Sequence, residues 1–421
     1  MSRRSALIAG GALVAGFSMI RRGHAASGRV VIIGGGFGGA TCAKYIKRAD
    51  PAIDVTLIEA NASYITCPFS NGVLADIDTL DDLTLNYGRL ASNHGVKVVK
   101  GNASAVDSVL KRVMLSDGRS FDYDRLVISP GVDFRFNDID GLTASVSNKA
   151  IPHAWKAGSQ TTLLRRKLHA IEDGGTFIIT VPPSPYRCPP APYERASLAA
   201  YWLKKNKPKS KVLILDSNDS MPKQALFEEA WSQLFPGMVT RITGSQGGEV
   251  VAVDPYGMTV DTASGETVKG SVINIIPPHK AGAIAAKARV KKGDWCPVNP
   301  ATFESTKVPG IHVIGDACTA SPLPKSGAAA NSQGKVCAQA IADIFAGKTP
   351  GEPLFSNACY SVIQPKYAIA LATIYGMRNG SLALVNGPNV TSPVGASKDY
   401  REKEFKDAGG WYRSLVSDSF Y

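Results

Sequence analysis

Residues 29–59, RVVIIGGGFGGATCAKYIKRADPAIDVTLIE, constrain the fold more than any other part of the chain. The apolar start, 30–33, reads as a buried strand. Gly34-x-Gly36-x-x-Gly39 follows. Gly34 permits a tight turn, Gly36 lets a pyrophosphate approach the backbone, and Gly39 lets the next helix pack against the strand. That helix is expected over 40–49, with unpaired N–H groups at its start facing a phosphate. A second strand, 55–58, ends in Glu59, 20 residues beyond Gly39, where a carboxylate takes ribose hydroxyls. GxGxxG alone is a weak signal. With strand, helix, second strand and acid in place, it points to dinucleotide binding rather than to a structural turn. The acid disfavours a ribose 2′-phosphate.

The chain has 421 residues, of which 44% are hydrophobic, enough for two or three packed domains. Residues 1–26 stand apart. Arg3-Arg4 precede an apolar stretch over 6–20, and small residues surround Ala25-Ala26. This is the order of a cleaved secretory signal, too short for a membrane span. The paired arginines suggest the twin-arginine route, which exports folded proteins, although Ala6 stands where that motif usually has Phe. No later apolar run reaches the length of a membrane helix, so stable membrane insertion is not expected. The formal charge is +12, or +8 without Arg3, Arg4, Arg21 and Arg22. The basic residues are scattered and no nucleic-acid motif accompanies them, so the surplus reads as a solvated surface.

Beyond Glu59, short strands over 96–99 and 112–115 and at Phe121 read as a small meander. A strand over 123–128 ends in the turn Ser129-Pro130-Gly131. A second strand-led unit starts with GGTFIITV at 174–181, followed by a helix over 193–205 and a strand over 211–216. Where its phosphate loop should be, six of the eleven residues from Pro182 to Pro192 are proline and none is glycine. Proline removes N–H donors and adds bulk where a pyrophosphate needs the backbone. This unit has the layout of a nicotinamide domain without its phosphate cradle. Further on, an apolar strand over 311–314 ends in Gly315-Asp316. Lys325-Ser326-Gly327 then lead into a helix over 328–345. A linker-like Lys348-Thr349-Pro350-Gly351 precedes a C-terminal segment. Its Trp411, Tyr412, Leu415 and Val416 suggest a short amphipathic turn, with Gly409-Gly410 interrupting any long helix.

Seven cysteines in an exported chain allow disulfides and leave at least one thiol over. Cys188 lies in the proline-rich turn just before a helix N-terminus, whose dipole would favour a thiolate. Cys359 lies far along the chain, and spacing alone leaves a structural disulfide, two unrelated thiols and a redox pair all open. By the same reasoning Cys67 could be a core residue. Glu194, in the first turn of a helix, has helix stabilisation as its plain reading. Cys42 and Cys337 fall in apolar helices and read as small buried hydrophobes. Cys296 and Cys318 carry no assigned chemistry. No His–Cys spacing suggests a metal site, and no C-x-x-C-H offers haem attachment. His94, His153, His169, His279 and His312 are scattered and read as structural or exposed.

From residue 29 nearly to the C-terminus the sequence resembles the flavoprotein subunit of flavocytochrome c sulfide dehydrogenase, a relative of sulfide:quinone oxidoreductases. The resemblance is carried by GGGFGGAT at 34–41, YITCPFSN at 64–71, PHAWKAG at 152–158 and YRCPPAPYERAS at 186–197. It continues in HVIGDAC at 312–318, PKSGAAANSQGK at 324–335 and ACYSV at 358–362.

The resemblance implies an α/β, Rossmann-like flavoprotein with two dinucleotide-binding domains and a C-terminal interface domain. An FAD domain would be split between 29–155 and 276–347, with a degenerate NAD(P)-type domain over 156–275 and the interface domain over 348–421. Gly34, Gly36, Gly39, Glu59, Gly315, Asp316, Lys325, Ser326 and Gly327 would bind FAD. In that family the cysteine at the position of Cys67 carries FAD through a thioether. Those at the positions of Cys188 and Cys359 form a redox-active disulfide, and the glutamate at the position of Glu194 is an acid–base group. The implied activity is periplasmic sulfide oxidation, with electrons passed to a separate c-type cytochrome subunit in a heterodimer. Sulfide:quinone reduction is the nearest alternative. A non-catalytic partner of sulfur-oxidation proteins is an alternative of a different class.

Overall fold

The structure is a computed structural model and describes residues 28–385 and 390–421. The expected leader lies outside the described residues. Strand Arg29–Ile33 is the centre of a five-stranded parallel sheet. Arg125–Ile128 and then Ile311–Val313 lie on one side of it, Asp54–Glu59 and then Lys97–Lys100 on the other. Val30 sits opposite both Val55 and Arg125. Val30, Val31, Ile32 and Ile33 are all buried, as a parallel sheet covered on both faces requires. The helix Phe37–Ala49 follows the Gly-rich turn and packs beside the helix Gly327–Phe345. Two ends of the FAD-type signature, far apart in sequence, thus meet at one end of one sheet.

Residues 96–99 do not belong to the meander. The strand Lys97–Lys100 pairs in parallel with Asp54–Glu59, and the meander is Ala103–Asp107, Arg112–Leu115 and Ser120–Asp122. A short apolar run has no pattern that names its partner. Here Val96 and Val99 bury themselves in the core of the parallel sheet.

The second unit is a four-stranded parallel sheet, ordered Val239–Ile242, Lys211–Asp216, Thr176–Val181 and Val272–Asn274. The helix Ala191–Asn206 connects its first two strands in sequence. The chain then pairs His279–Ala281 with Val132–Phe134 and returns to the first sheet. The C-terminal part is an antiparallel sheet of Leu354–Gln364, Tyr367–Arg378 and Ser381–Leu384, with the helix Lys398–Phe420 against it.

That last helix runs unbroken through Gly409-Gly410, contrary to the sequence expectation. Two interior glycines cost about 1 kcal/mol each relative to alanine. Tertiary contacts outweigh that cost. Phe420 is fully buried against Phe37 and Tyr64, and such a side chain contributes about 2–3 kcal/mol. Arg401, 1% exposed, pairs with Glu229 and Glu404. At the C-terminal end, the Lys44 ammonium donates to the carbonyl oxygens of Ser417, Asp418 and Tyr421 and so ties the last turn to the first helix. Among the described residues no helix is long and apolar enough to cross a membrane.

Candidate active site

The Gly-rich turn opens onto a cleft of about 600 Å³. Gly34 has φ +99°, and a Cβ there would overlap the Ser129 carbonyl oxygen. A Cβ at Gly39 would overlap the Gly34 carbonyl oxygen, so Gly39 lets the helix start against the strand and does not line the cleft. Gly36 caps that helix with no side-chain bond, which leaves its first N–H groups available. Glu59 faces the cleft from the end of its strand. Its carboxylate accepts the Gly35 N–H at 2.7 Å and the Asn61 N–H at 2.9 Å, so it also shapes the loop.

Gly315 and Asp316 close the opposite wall. The Gly315 N–H is held by Gln333 Oε1 at 2.6 Å. One carboxyl oxygen of Asp316 is buried with no hydrogen-bond partner, and burial pushes this carboxyl up in pKa despite Arg187 and Lys325 nearby. Ser326 caps the helix Gly327–Phe345 by accepting the Ala329 N–H, and both Ser326 and Gly327 line the cleft. Lys325 does not line it. Its ammonium donates to the carbonyls of Asp316 and Cys318 at 2.7 and 2.8 Å and lies over the Trp295 ring. Lys325 therefore fixes the Asp316 turn from behind, because those carbonyls capture the cation before it can reach the cleft. An unpartnered acceptor, an open helix N-terminus and a crowded glycine turn fit a dinucleotide.

A smaller chamber of about 60 Å³ adjoins the cleft. Cys188, Cys359, Glu194, Asn71, Trp155 and Trp411 are among the residues around it. Cleft and chamber share Cys67, Pro68, Arg187, Ser326 and Gly327 as walls. Cys188 comes from the proline-rich turn and has φ +54°, a left-handed conformation uncommon for a non-glycine residue. Its N–H donates to the Lys325 carbonyl at 2.7 Å and its carbonyl accepts the Ala191 N–H at 2.9 Å. Those two bonds fix the turn between the FAD-type loop and the helix Ala191–Asn206. Cys359 lies on the strand Leu354–Gln364, and Lys223 donates to its carbonyl at 3.4 Å and to Ser361 Oγ at 2.8 Å. Cys67 Sγ is 3.9 Å from the Trp155 carbonyl oxygen. Cys188 and Cys359 are not bridged in the structure, so the disulfide that the resemblance implies is not seen there.

The helix dipole does not make Cys188 an easy thiolate. Burial pushes its thiol well up, and the neighbouring Cys359, Glu194 and Cys67 push it further, against Arg187. Desolvation outweighs a dipole whose helix begins three residues later, at Ala191. Cys359 is also raised, first by burial, with Lys223 opposing and Glu194 adding.

Glu194 sits in the first turn of its helix but does more than complement the dipole. Its two oxygens accept the Val362 N–H and the Asn71 amide, each at 3.0 Å, tying the C-terminal sheet to the chamber. Burial raises its carboxyl, opposed by those two bonds and by Lys223 and Arg195. Arg195, 3% exposed, spends its donors on Asn71 Oδ1, Asn274 Oδ1 and the carbonyls of His153 and Ala154. His153 and His279 meet around Phe134, with ring centroids 4.3 and 5.4 Å from it. Burial holds both imidazoles neutral, His153 at a pKa of about 3. The sequence reading passed over Arg187, Asn71, Arg195, Lys223 and this histidine pair. The RCPP and PYER runs were the available signal for Arg187 and Arg195. The YITCPFSN and PHAWKAG runs were the same kind of signal for Asn71 and His153, and nothing local marked Lys223 or His279.

Three families of known proteins match successive parts of the chain. Pyridine nucleotide-disulphide oxidoreductase matches residues 28–168. The central part of the sulfide dehydrogenase [flavocytochrome c] flavoprotein chain matches 161–277. The flavin-binding part of flavocytochrome c sulphide dehydrogenase matches 351–420. The sulfide dehydrogenase [flavocytochrome c] flavoprotein chain of Chlorobaculum thiosulfatiphilum is 60% identical over 45 residues, 11% of this chain and 94% of that sequence. The chain belongs to the flavocytochrome c sulfide dehydrogenase flavoprotein family. It is thus an FAD-type α/β flavoprotein and a sulfide-oxidising oxidoreductase. The mitochondrial sulfide:quinone oxidoreductase of Mus musculus is 22% identical over 337 residues, 76% of this chain and 72% of that one. The solved sulfide:quinone oxidoreductase of Aquifex aeolicus shares the fold at TM-score 0.69 and 19% identity, covering 93% of this chain and 92% of that one. Putidaredoxin reductase, in its covalent complex with putidaredoxin, shares it at TM-score 0.63 and 17% identity, covering 86% and 91%.

Proposed function

We propose that this flavocytochrome c sulfide dehydrogenase flavoprotein works in the periplasm. Sulfide reacts there at a Cys188–Cys359 disulfide, and a separate c-type cytochrome takes the electrons. The observation that carries the reading is spatial. Two cysteines 171 residues apart face one small chamber, and that chamber meets the FAD cleft at Cys67.

Hydrosulfide would attack one sulfur of the disulfide, breaking the S–S bond. One cysteine becomes a persulfide and the other leaves as a thiolate. A second hydrosulfide takes the outer sulfur of the persulfide as a hydrogen disulfide and leaves a second thiolate. The two thiolates re-form their bond and give up an electron pair. FAD bound in the cleft would accept two electrons together and release them singly, which suits a haem acceptor. Cys67, which lines both cavities, would hold FAD by a thioether. Glu194 would hold or move a proton beside the two cysteines.

The second unit is proposed not to use NADH or NADPH. Its proline-rich turn lacks the glycines of a phosphate cradle. Asp216, at the end of its second strand, is fully buried and engaged by Tyr193 and Arg241 at 2.6 and 2.8 Å, so it is not free for a ribose. The sequence contains no C-x-x-C-H motif for covalent haem attachment, and the proposal therefore puts the c-type haem acceptor on a separate subunit.

The test is anaerobic. Sulfide is added to purified holoprotein and flavin bleaching is followed, then cytochrome c or a quinone is added. Re-oxidation by cytochrome c alone supports the proposal. Re-oxidation by quinone alone would assign the chain to quinone reduction. A flavin that sulfide never bleaches would favour a non-catalytic role.

A further inference from the structure

Among the five residues that wall both cavities, Arg187 carries the fixed charge. Its guanidinium forms no ion pair and no hydrogen bond among the described residues, and its Nη2 is buried without a partner. Arg187 is part-buried on the wall shared by the two cavities, so its charge, with no partner among the described residues, is available to an anion that enters. The backbone around it is pinned. The Arg187 N–H donates to His279 Nδ1 at 3.0 Å, and the next N–H, that of Cys188, donates to the Lys325 carbonyl at 2.7 Å. The main chain that carries the guanidinium is therefore fixed at the junction, and groups that can turn negative lie near it. A guanidinium keeps its proton at any working pH; burial opposes the charge, and Cys67 and Asp316 beside it act in its favour whenever they are negative.

We propose that Arg187 is the anion-binding residue of the chamber. It holds hydrosulfide for attack on the Cys188–Cys359 bond and then holds the negative sulfur that the attack creates. This rests on the disulfide reading above. The charge balance favours such a role. Hydrosulfide brings one negative charge into the chamber, its sulfur pair forms the new S–S bond, and the same charge emerges on the released cysteine. No further reactant is needed for that step. With Cys188 and Cys359 joined and Cys67 in its thioether, Glu194 is the acidic group facing Cys188 before the attack, and Cys359 joins it once released; both oppose a negative charge there. Arg187 is the group that offsets them.

Two readouts test the proposal, on Arg187→Met, which removes the charge at similar length, and on Arg187→Lys, which keeps it. The first is the sulfide dependence of flavin bleaching in holoprotein. Arg187→Met should raise the half-saturating sulfide concentration at least tenfold, and Arg187→Lys should recover most of that loss. The second needs no sulfide. After reduction of the protein, the rate of Cys188 alkylation by iodoacetamide is followed against pH by peptide mass spectrometry. Arg187→Met should move its midpoint upward by at least one pH unit.

Wild-type values for both readouts in Arg187→Met would overturn the proposal. If the wild-type flavin itself ignores sulfide while the alkylation midpoint still shifts, the disulfide reading fails and the cation next to Cys188 stands. Should Arg187→Met not fold, the wild type decides. Thiocyanate, a monovalent anion, should raise half-saturating sulfide without lowering the limiting rate. Absence of that competition would overturn the proposal.

Discussion

Replacing Glu194 separates its two roles, because its carboxylate is both a hydrogen-bond acceptor and a candidate acid–base group. One oxygen accepts the Val362 N–H and the other accepts the Asn71 amide, both at 3.0 Å. Asn71 cannot turn around to help a variant. Its own Oδ1 accepts from Arg195 Nε at 2.9 Å and its Nδ2 also donates to the Ala191 carbonyl at 3.3 Å. Glu194→Gln therefore keeps one acceptor and sets an NH₂ against a second donor. A buried donor left without a partner costs about 1–3 kcal/mol. Glu194→Ala removes both acceptors, so its loss is about twice that, less what is regained by no longer burying a carboxyl. Urea unfolding should rank wild type, Glu194→Gln and Glu194→Ala in falling order, with steps of about 1–3 kcal/mol. Flavin reduction by sulfide should behave differently. Both variants lack the titrating group, so both should slow by a similar factor, about 100-fold or more for a proton transfer. Glu194→Ala as stable as wild type would refute the bonding argument. Full-speed flavin reduction in Glu194→Gln would refute the acid–base role.

Three further outcomes are expected. Yellow colour should stay with the acid-denatured protein, and peptide mass spectrometry should find FAD mass on the Cys67 peptide; complete release of FAD would defeat the covalent attachment. Burial, then Glu194 and Asp82, push the Asp78 carboxyl up to about 6, so the folded chain keeps a proton that the unfolded chain loses near pH 4. Stability therefore falls as pH rises from about 4 to about 6, and the whole penalty, about 1–2 kcal/mol after allowing for partial exposure, is present at pH 7. Asp78→Asn should raise the melting temperature at pH 7 and leave it unchanged at pH 3.5; a gain of equal size at both would contradict the assignment. NADH and NADPH should not bleach the flavin appreciably, and rapid bleaching by either would show that the proline-rich turn still binds a dinucleotide.

Local patterns carried much of the fold. The glycine turn and its flanking strands were legible because each glycine answers a steric demand within a few residues, as Gly39 does against the Gly34 carbonyl. Strand partners were harder, since the short run at 96–99 carries no mark of whether it edges the parallel sheet or the meander. The unbroken final helix was hidden because Gly409-Gly410 is a local signal, whereas Lys44, Phe37 and Glu229, which help hold that helix, lie far away in sequence. At the site, Cys188 and Cys359 could be singled out but not brought together by spacing. Their common chamber depends on how the helix Ala191–Asn206 and the strand Leu354–Gln364 meet, through Glu194 and Val362. The dipole that would favour a thiolate at Cys188 is visible in sequence as a helix start, whereas the desolvation that outweighs it is a property of the assembled chamber.

The central claim is that sulfide reaches the flavin through Cys188 and Cys359. Stopped-flow absorbance of the flavin after anaerobic mixing with sulfide tests it most directly, on wild type, Cys188→Ser and Cys359→Ser at matched FAD content. Neither cysteine belongs to the glycine turn or the Gly315-Asp316 wall, so both variants should keep their FAD. The account predicts rapid bleaching in the wild type and its loss in both variants. Bleaching of both variants at the wild-type rate would mean that sulfide attacks the flavin directly, and would contradict the account.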